Sequence, residues 1–141
     1  MVNIYDSELD KNEANCQPLT PIIFLERAAA VFPEHVAIIY GDRSTCYADF
    51  FSRCRKLAYV LADRGIGRGD TVSVMLANTP AMLEAHYAVP MCGAVLHSLN
   101  TRLDAGVIAF QLEHAESKVL ITDTAFSKTV KTALELANAQ P

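Results

Sequence analysis

Three glycines at alternate positions, Gly65, Gly67 and Gly69 in "RGIGRGDTVSVML", are the first group in this sequence whose spacing could serve chemistry. Glycines so placed cradle a phosphate when they follow a strand and open a helix, because the helix N-terminus aims free N–H groups and a partial positive charge at the anion. A second candidate is "NTRLD", residues 100–104, where the guanidinium of Arg102 stands beside Asn100 and Thr101. Arginine takes phosphate oxygens through paired N–H donors. A third is the set Cys92, His97 and His86, whose thiolate and imidazole donors suit a transition metal.

The elements around each group decide what it can do. From Asp49, the residues Phe50, Phe51, Cys54, Leu57, Ala58 and Leu61 recur on one helical face, with Arg53, Arg55 and Lys56 on the other as a solvated face. This helix runs into Gly65, the position at which a left-handed residue closes a helix. An apolar strand, Thr71 to Leu76, comes afterwards. The glycines therefore follow a helix and precede a strand, the reverse of the phosphate-loop order, and are expected to form a turn. The metal reading fails on different grounds. Two of its three donors sit on strongly apolar sequence and no carboxylate completes a familiar spacing, so a buried thiol and satisfied core histidines are expected, and no metal site.

Elsewhere, Thr20-Pro21 has the form of an N-cap followed by a proline at the first helical position, and Phe24, Leu25, Ala28 and Phe32 continue that helix to Pro33. Val36 to Tyr40, a Gly-Asp turn and Thr45 to Tyr47 read as a small hairpin. Thr79-Pro80 opens a helix bearing Met82, Leu83, His86 and Val89, which Pro90 should kink or end. Then follow a buried strand (Gly93 to Leu99), a helix in "DAGVIAFQLEHA", a strand in "KVLITD" and a last helix in "AFSKTVKTALELANA". From about residue 71 the order is β-α-β-α-β-α. The fold class is α/β, a parallel sheet with helices on both faces, preceded by a helix and a small hairpin.

Ligands of such sheets bind beyond the carboxyl ends of the strands. Here those ends are "ANTP", "NTRLD" and "TDTA". Asn78 and Thr79 read as a turn and a cap. Thr101 or Asp104 caps the helix after Arg102, whose guanidinium either pairs with a nearby acid or faces a ligand. His114, late in its helix, suits the negative end of the helix dipole.

With 141 residues, 51% apolar and 20% charged, the chain can bury a real core. Its net charge of −4 argues against a broad nucleic-acid surface. No apolar stretch reaches bilayer length free of charge, and "MVNIYDSELDKNEANCQ" is acidic where a secretory signal has a basic start and an apolar core. Residues 1–17 are expected to be a mobile arm. Cys16, Cys46, Cys54 and Cys92 lie far apart, which fits a reducing, cytoplasmic setting. The chain contains no G-x-x-x-x-G-K-[ST], no G-x-S-x-G and no H-E-x-x-H, so no catalytic residue is assigned.

Longer stretches carry a resemblance. "LTPIIFLERAAAVFPEHVAIIYGDRSTCYADF" and "GIGRGDTVSVMLANTPAMLEAHYAVPMCGAVLHSLNTRLDAGVIAFQLEHAESKVLITD" together resemble the N-terminal part of the AMP-forming acyl-CoA synthetases, of the acyl-adenylate-forming ligase superfamily. The segments "TCYADF", "GDTVSVMLANTP", "CGAVLHSLNTRL" and "KVLITD" occur in order, between about Pro18 and Leu136. The wording around "PMCGAV…NTRL" is similar to the branch acting on medium-chain, fatty or aromatic acids. The resemblance implies an enzyme that joins a carboxylic acid to coenzyme A through an acyl-AMP, using ATP and Mg2+. Residues 18–141 would then be a partial N-terminal domain of a larger fold, whose partners are the acid, coenzyme A and the remainder of the chain.

It further implies that the Gly-rich phosphate loop and the adenylation lysine lie outside this sequence, so the 141 residues alone are expected to be inactive. Arg102, in the "N-x-R-L" segment, maps near the 3′-phosphate of coenzyme A. For a eukaryotic source a peroxisomal setting is the alternative to the cytoplasm, and its C-terminal signal would lie outside this sequence. The contrasting functional reading is a stand-alone, non-catalytic α/β interaction or regulatory module derived from such an enzyme.

Overall fold

The computed structural model describes residues 10–138 and Pro141. Of the expected N-terminal arm, residues 1–9 lie outside the described residues, while residues 10–17 are exposed and hold one turn at 13–15. Helix α1, Pro21–Val31, starts as its sequence suggests: Thr20 Oγ1 accepts from the Ile23 N–H at 3.4 Å, and proline fills a first-turn position that needs no donor.

Strands β1 (Val36–Tyr40) and β2 (Arg43–Cys46) pair antiparallel as a hairpin. The second strand lies earlier than the sequence pattern suggested, and Tyr47 belongs instead to helix α2, Tyr47–Asp63. The Tyr47 N–H donates to the His35 carbonyl at 3.0 Å, one step beyond the Val36–Cys46 pair, and the Ala48 N–H to the Pro33 carbonyl at 3.1 Å, where the chain passes from the hairpin into α2.

The three remaining strands are β3 (Thr71–Met75), β4 (Val95–Ser98) and β5 (Ser117–Thr122), in spatial order β4-β3-β5 with both pairings parallel. Helix α3 (Pro80–Met91) links β3 to β4, and α4 (Ala105–His114) links β4 to β5. A 3-10 turn at Thr124–Phe126 and helix α5 (Ser127–Leu136) follow, where the sequence suggested one uninterrupted helix. Pro90 lies inside the last turn of α3, which runs one residue past it and is closed by Gly93 at φ +81°, with the Ala94 N–H donating to Val89 O at 3.2 Å.

Side chains of β3 alternate between two apolar layers. Val72, Val74 and Leu76 pack with Leu61 of α2 and Ala85 and Val89 of α3. Met75 faces the opposite way, toward Ile108 and Leu112 of α4 and Val130 and Ala133 of α5. Both faces of the sheet are covered, which is why β3 reads as an apolar run rather than an alternating one. Strand β4 is different: the sequence suggested a buried strand, yet it is an edge strand and Val95 is 53% exposed. A third cluster, Leu25, Phe50 and Cys54, joins α1, the hairpin and α2, with Phe50 edge-on to Tyr87 at 5.3 Å.

The glycine run is a connection between α2 and β3. Gly65 has φ +81°, and the N–H of Ile66 reaches back to the Leu61 carbonyl at 3.0 Å, the bond pattern of a helix closed by a left-handed residue. Asp70 fixes the next turn, accepting from the Gly67 N–H at 2.9 Å, and lies 3.7 Å from Lys118. The Gly67 N–H is thus already occupied within the turn.

Candidate functional site

Because β3, β4 and β5 are parallel, their carboxyl ends meet at one edge of the sheet. The loop after β3 feeds α3 on one face, whereas those after β4 and β5 feed α4 and α5 on the other, so the connections diverge at the end of β3, the place where ligands of such sheets bind. Two backbone bonds draw the neighbouring loops inward: Leu99 N–H donates to Val74 O at 2.9 Å, and Asp123 N–H to Met75 O at 3.3 Å. The hydroxyl of Thr122 adds a bond to Met75 O at 3.1 Å.

Arg102 stands on the loop after β4. The Asn100 side chain accepts from the Arg102 N–H at 3.0 Å, and the Leu103 N–H bonds Asn100 O at 3.2 Å, so a tight turn presents the side chain outward. Arg102 is exposed and has no carboxylate within 4.0 Å among the described residues. Its pairing with a nearby acid, one of the two expectations, is absent from this structure. Asp104, not Thr101, caps α4, accepting from the Val107 N–H at 2.9 Å. That carboxylate takes one of the free donors of the helix N-terminus. Thr79 takes the N-cap position of α3 in extended conformation, without the side-chain capping bond that its type suggested.

The candidate metal donors separate. Cys92 is half-buried and its thiol lies 3.1 Å from Val89 O, whereas His86 is exposed, with Nδ1 2.8 Å from Met82 O. Cys92 is thus partly buried against the core layer between β3 and α3, in the direction of the buried thiol that was expected, whereas His86 is exposed and is not a core histidine. Among the described residues no three His, Cys, Asp or Glu gather at metal-binding range. His114 is exposed in the last turn of α4, stacked on Phe110 at 5.6 Å.

Two polar clusters escaped the sequence reading. Ser73, fully buried on β3, sits 2.8 Å from His97 Nδ1 and 2.5 Å from the Ser117 hydroxyl, joining the three strands. Burial, and secondarily the charge of His114, lowers the His97 pKa from its ordinary value. Arg53, expected on a solvated face, reaches across to Glu84 of α3, a residue only 8% exposed. The hydrogen bond and charge of Glu84 raise the Arg53 pKa. Beneath them the Cys54 thiol is pushed up to about 12, first by burial and then by the Glu84 charge. A motif search finds neither cluster, since each joins residues far apart in sequence.

Residues 25–141 match the family described as "AMP-binding enzyme". The chain belongs to the AMP-binding enzyme family. Among relatives of this AMP-binding chain is the peroxisomal acetate/butyrate–CoA ligase AAE7 of Arabidopsis thaliana, 46% identical over 129 residues, which are 92% of this chain and 23% of that protein. A benzoate CoA ligase from Burkholderia xenovorans superimposes with a TM-score of 0.79 at 25% identity, over 84% of this chain and 24% of that one. The O-succinylbenzoate coenzyme A synthetase of Bacillus subtilis, solved with ATP and a magnesium ion, gives 0.73 at 32% identity, over 86% and 32%. The chain thus spans under a quarter of the curated relative and about a third or less of these structures. The parallel sheet, its helices and the hairpin correspond to the N-terminal part of the acyl-CoA ligase fold.

Proposed function

We propose that this sequence is the N-terminal part of an ATP-dependent, AMP-forming acid–CoA ligase, with residues 18–141 a portion of its N-terminal domain. In that reaction a carboxylate oxygen attacks the α-phosphorus of ATP and pyrophosphate leaves. The thiol of coenzyme A then attacks the acyl carbon and AMP leaves. The observation that carries the reading is 46% identity to an acetate/butyrate–CoA ligase across 92% of this chain. The acid is a short fatty or an aromatic one, the classes named for the relatives. Peroxisomal relatives favour that compartment over the cytoplasm for a plant-like enzyme. No helix among the described residues is long and apolar enough to cross a membrane.

The described residues fit the cofactors unequally. The glycine run that could have cradled ATP is a turn whose Gly67 N–H is taken by Asp70, so ATP and Mg2+ are assigned to other parts of such an enzyme. Coenzyme A fits better. Arg102 is an exposed guanidinium with no carboxylate partner among the described residues, on the loop at the carboxyl end of β4, and we assign it the 3′-phosphate.

The test is acid-dependent ATP–pyrophosphate exchange. The protein made from the complete reading frame should exchange with acetate, butyrate or benzoate, and the 141 residues alone should not. A complete frame without a Gly-rich, lysine-bearing loop, or a complete protein showing no exchange with any acid, would leave the non-catalytic module as the function.

A further inference from the structure

A cleft of about 590 Å³ opens between the hairpin, α2 and the start of α3, and Arg102 is not among the residues that line it. Asp49, Arg53 and Lys56 contribute to it from one stripe of α2, Arg43 from β2, and Thr79 with Ala81 from the first turn of α3. The spacing of 49, 53 and 56 is the i, i+4, i+7 pattern that puts side chains on one helix face.

The charges there are not balanced. Arg53 is held by Glu84, which fixes the guanidinium as part of the wall and leaves that pair neutral. Arg43 and Lys56 have no carboxylate within 4.0 Å among the described residues, and Asp49 is the one acid lining the cleft. In a chain of net charge −4, Arg43 and Lys56 come from different elements to one polar cleft and, set against Asp49, leave its lining with a net positive charge. The α3 terminus adds to this: Pro80 has no N–H, and the Thr79 hydroxyl makes no cap, so the Ala81 N–H has no side-chain acceptor.

We propose that this cleft binds the terminal phosphate of a small phosphorylated molecule, with Arg43 and Lys56 as its cationic contacts and the Ala81 N–H as a neutral donor. The proposal does not use Arg102, although Thr79 to Ala81 belong to the connection at the carboxyl end of β3. Lysine and arginine together suit a dianion, because the compact ammonium and the forked guanidinium approach different oxygens.

The test is titration of the 141-residue chain, followed by calorimetry or amide chemical shifts, with inorganic phosphate, methyl phosphate and methyl sulfate. Saturable binding of one phosphate per chain is expected, with methyl sulfate, a monoanion of the same shape, much weaker. A phosphate ester loses its second proton near pH ~6, so affinity should rise on the order of tenfold between pH 5 and 7.5. The groups facing the ligand are Tyr40, Arg43, Asp49, Arg53 and Lys56. Arg43→Gln and Lys56→Gln should each weaken binding about fivefold or more. Both residues are exposed, and Asp49→Asn, which should tighten binding, supplies a variant in which no cation is lost. Arg27→Gln and Lys131→Gln, exposed cations outside the cleft, should change nothing. Tighter binding of methyl phosphate than of inorganic phosphate would assign the site to an ester, and equal binding to free phosphate. Absence of saturation, or equal losses in the variants outside the cleft, would overturn the site.

Discussion

Arg53 and Glu84, 31 residues apart in sequence, form a two-point ion pair between α2 and α3, with Nε 2.5 Å from one carboxylate oxygen and Nη2 3.2 Å from the other. The carboxylate is nearly buried while 57% of the guanidinium side chain meets solvent. This asymmetry sets the energetics. Removing the arginine strands a charge in a poorly solvated place, whereas removing the acid leaves a cation that water can still reach.

Arg53→Met should therefore destabilise the fold by about 1–3 kcal/mol, less than for a fully buried pair because solvent screens one partner. Glu84→Gln should cost less, and the double variant Arg53→Met with Glu84→Leu should recover much of the loss. Urea unfolding monitored by far-UV dichroism measures all three. A single Arg53→Met change that left the midpoint unmoved would show that the pair contributes nothing.

Gly65 offers a cleaner backbone experiment. Its φ is +81° and an added Cβ would meet nothing within 4 Å, so Gly65→Ala carries strain without a clash and should cost about 1 kcal/mol. At Gly67, equally open but not in the left-handed region, alanine should be neutral or slightly stabilising. Equal midpoints for the two variants would contradict the assignment of Gly65 as the residue that closes α2.

Those glycines also show how far the sequence could be read. Element order alone separated a helix-closing turn from a phosphate loop, and the parallel sheet with helices on both faces followed from apolar runs alternating with helical periods. The hairpin boundary did not follow. There Tyr47 and Ala48 donate to His35 and Pro33, bonds between segments that no local pattern encodes. Strand β4 was misjudged because an apolar run has the same appearance at the edge of a sheet as at its centre; only the spatial order β4-β3-β5 exposes Val95. In the candidate site, Arg102 could be placed from its neighbours in sequence. The pairings of Arg53 with Glu84 and of Ser73 with His97 and Ser117 arise only when separate elements pack.

His97 links this packing to pH. Its pKa is lowered in the folded chain, by burial and then by the charge of His114, so the unfolded chain binds the proton more readily. Stability is fully present above the unfolded value near ~6.5 and is lost as pH falls through it toward the folded value. The wild-type chain should be less stable at pH 5.5 than at pH 7.5. His97→Gln, which keeps a partner for Ser73, should flatten that part of the profile in urea unfolding. Identical slopes for the two proteins between these pH values would assign the dependence to other groups.

Arg102 can be examined chemically within the ligase reading. Coenzyme A carries a 3′-phosphate that dephospho-coenzyme A lacks. If Arg102 holds that group, Arg102→Ala in the complete enzyme should raise the Michaelis constant for coenzyme A by an amount corresponding to about 1.5–3 kcal/mol, the range for a charged hydrogen bond. Its constant for dephospho-coenzyme A should barely move, so the preference between the two thiols should nearly vanish. Acid-dependent pyrophosphate exchange should stay close to wild type, because that half-reaction does not use the thiol. Asn100 separates contact from scaffold. Its side chain holds the turn through the Arg102 N–H at 3.0 Å, so Asn100→Ala should loosen the guanidinium and give a smaller change of the same kind. Equal falls in both half-reactions for Arg102→Ala would mean that the residue supports the local fold instead. An intact preference for coenzyme A with exchange unchanged would place the 3′-phosphate on another part of the enzyme.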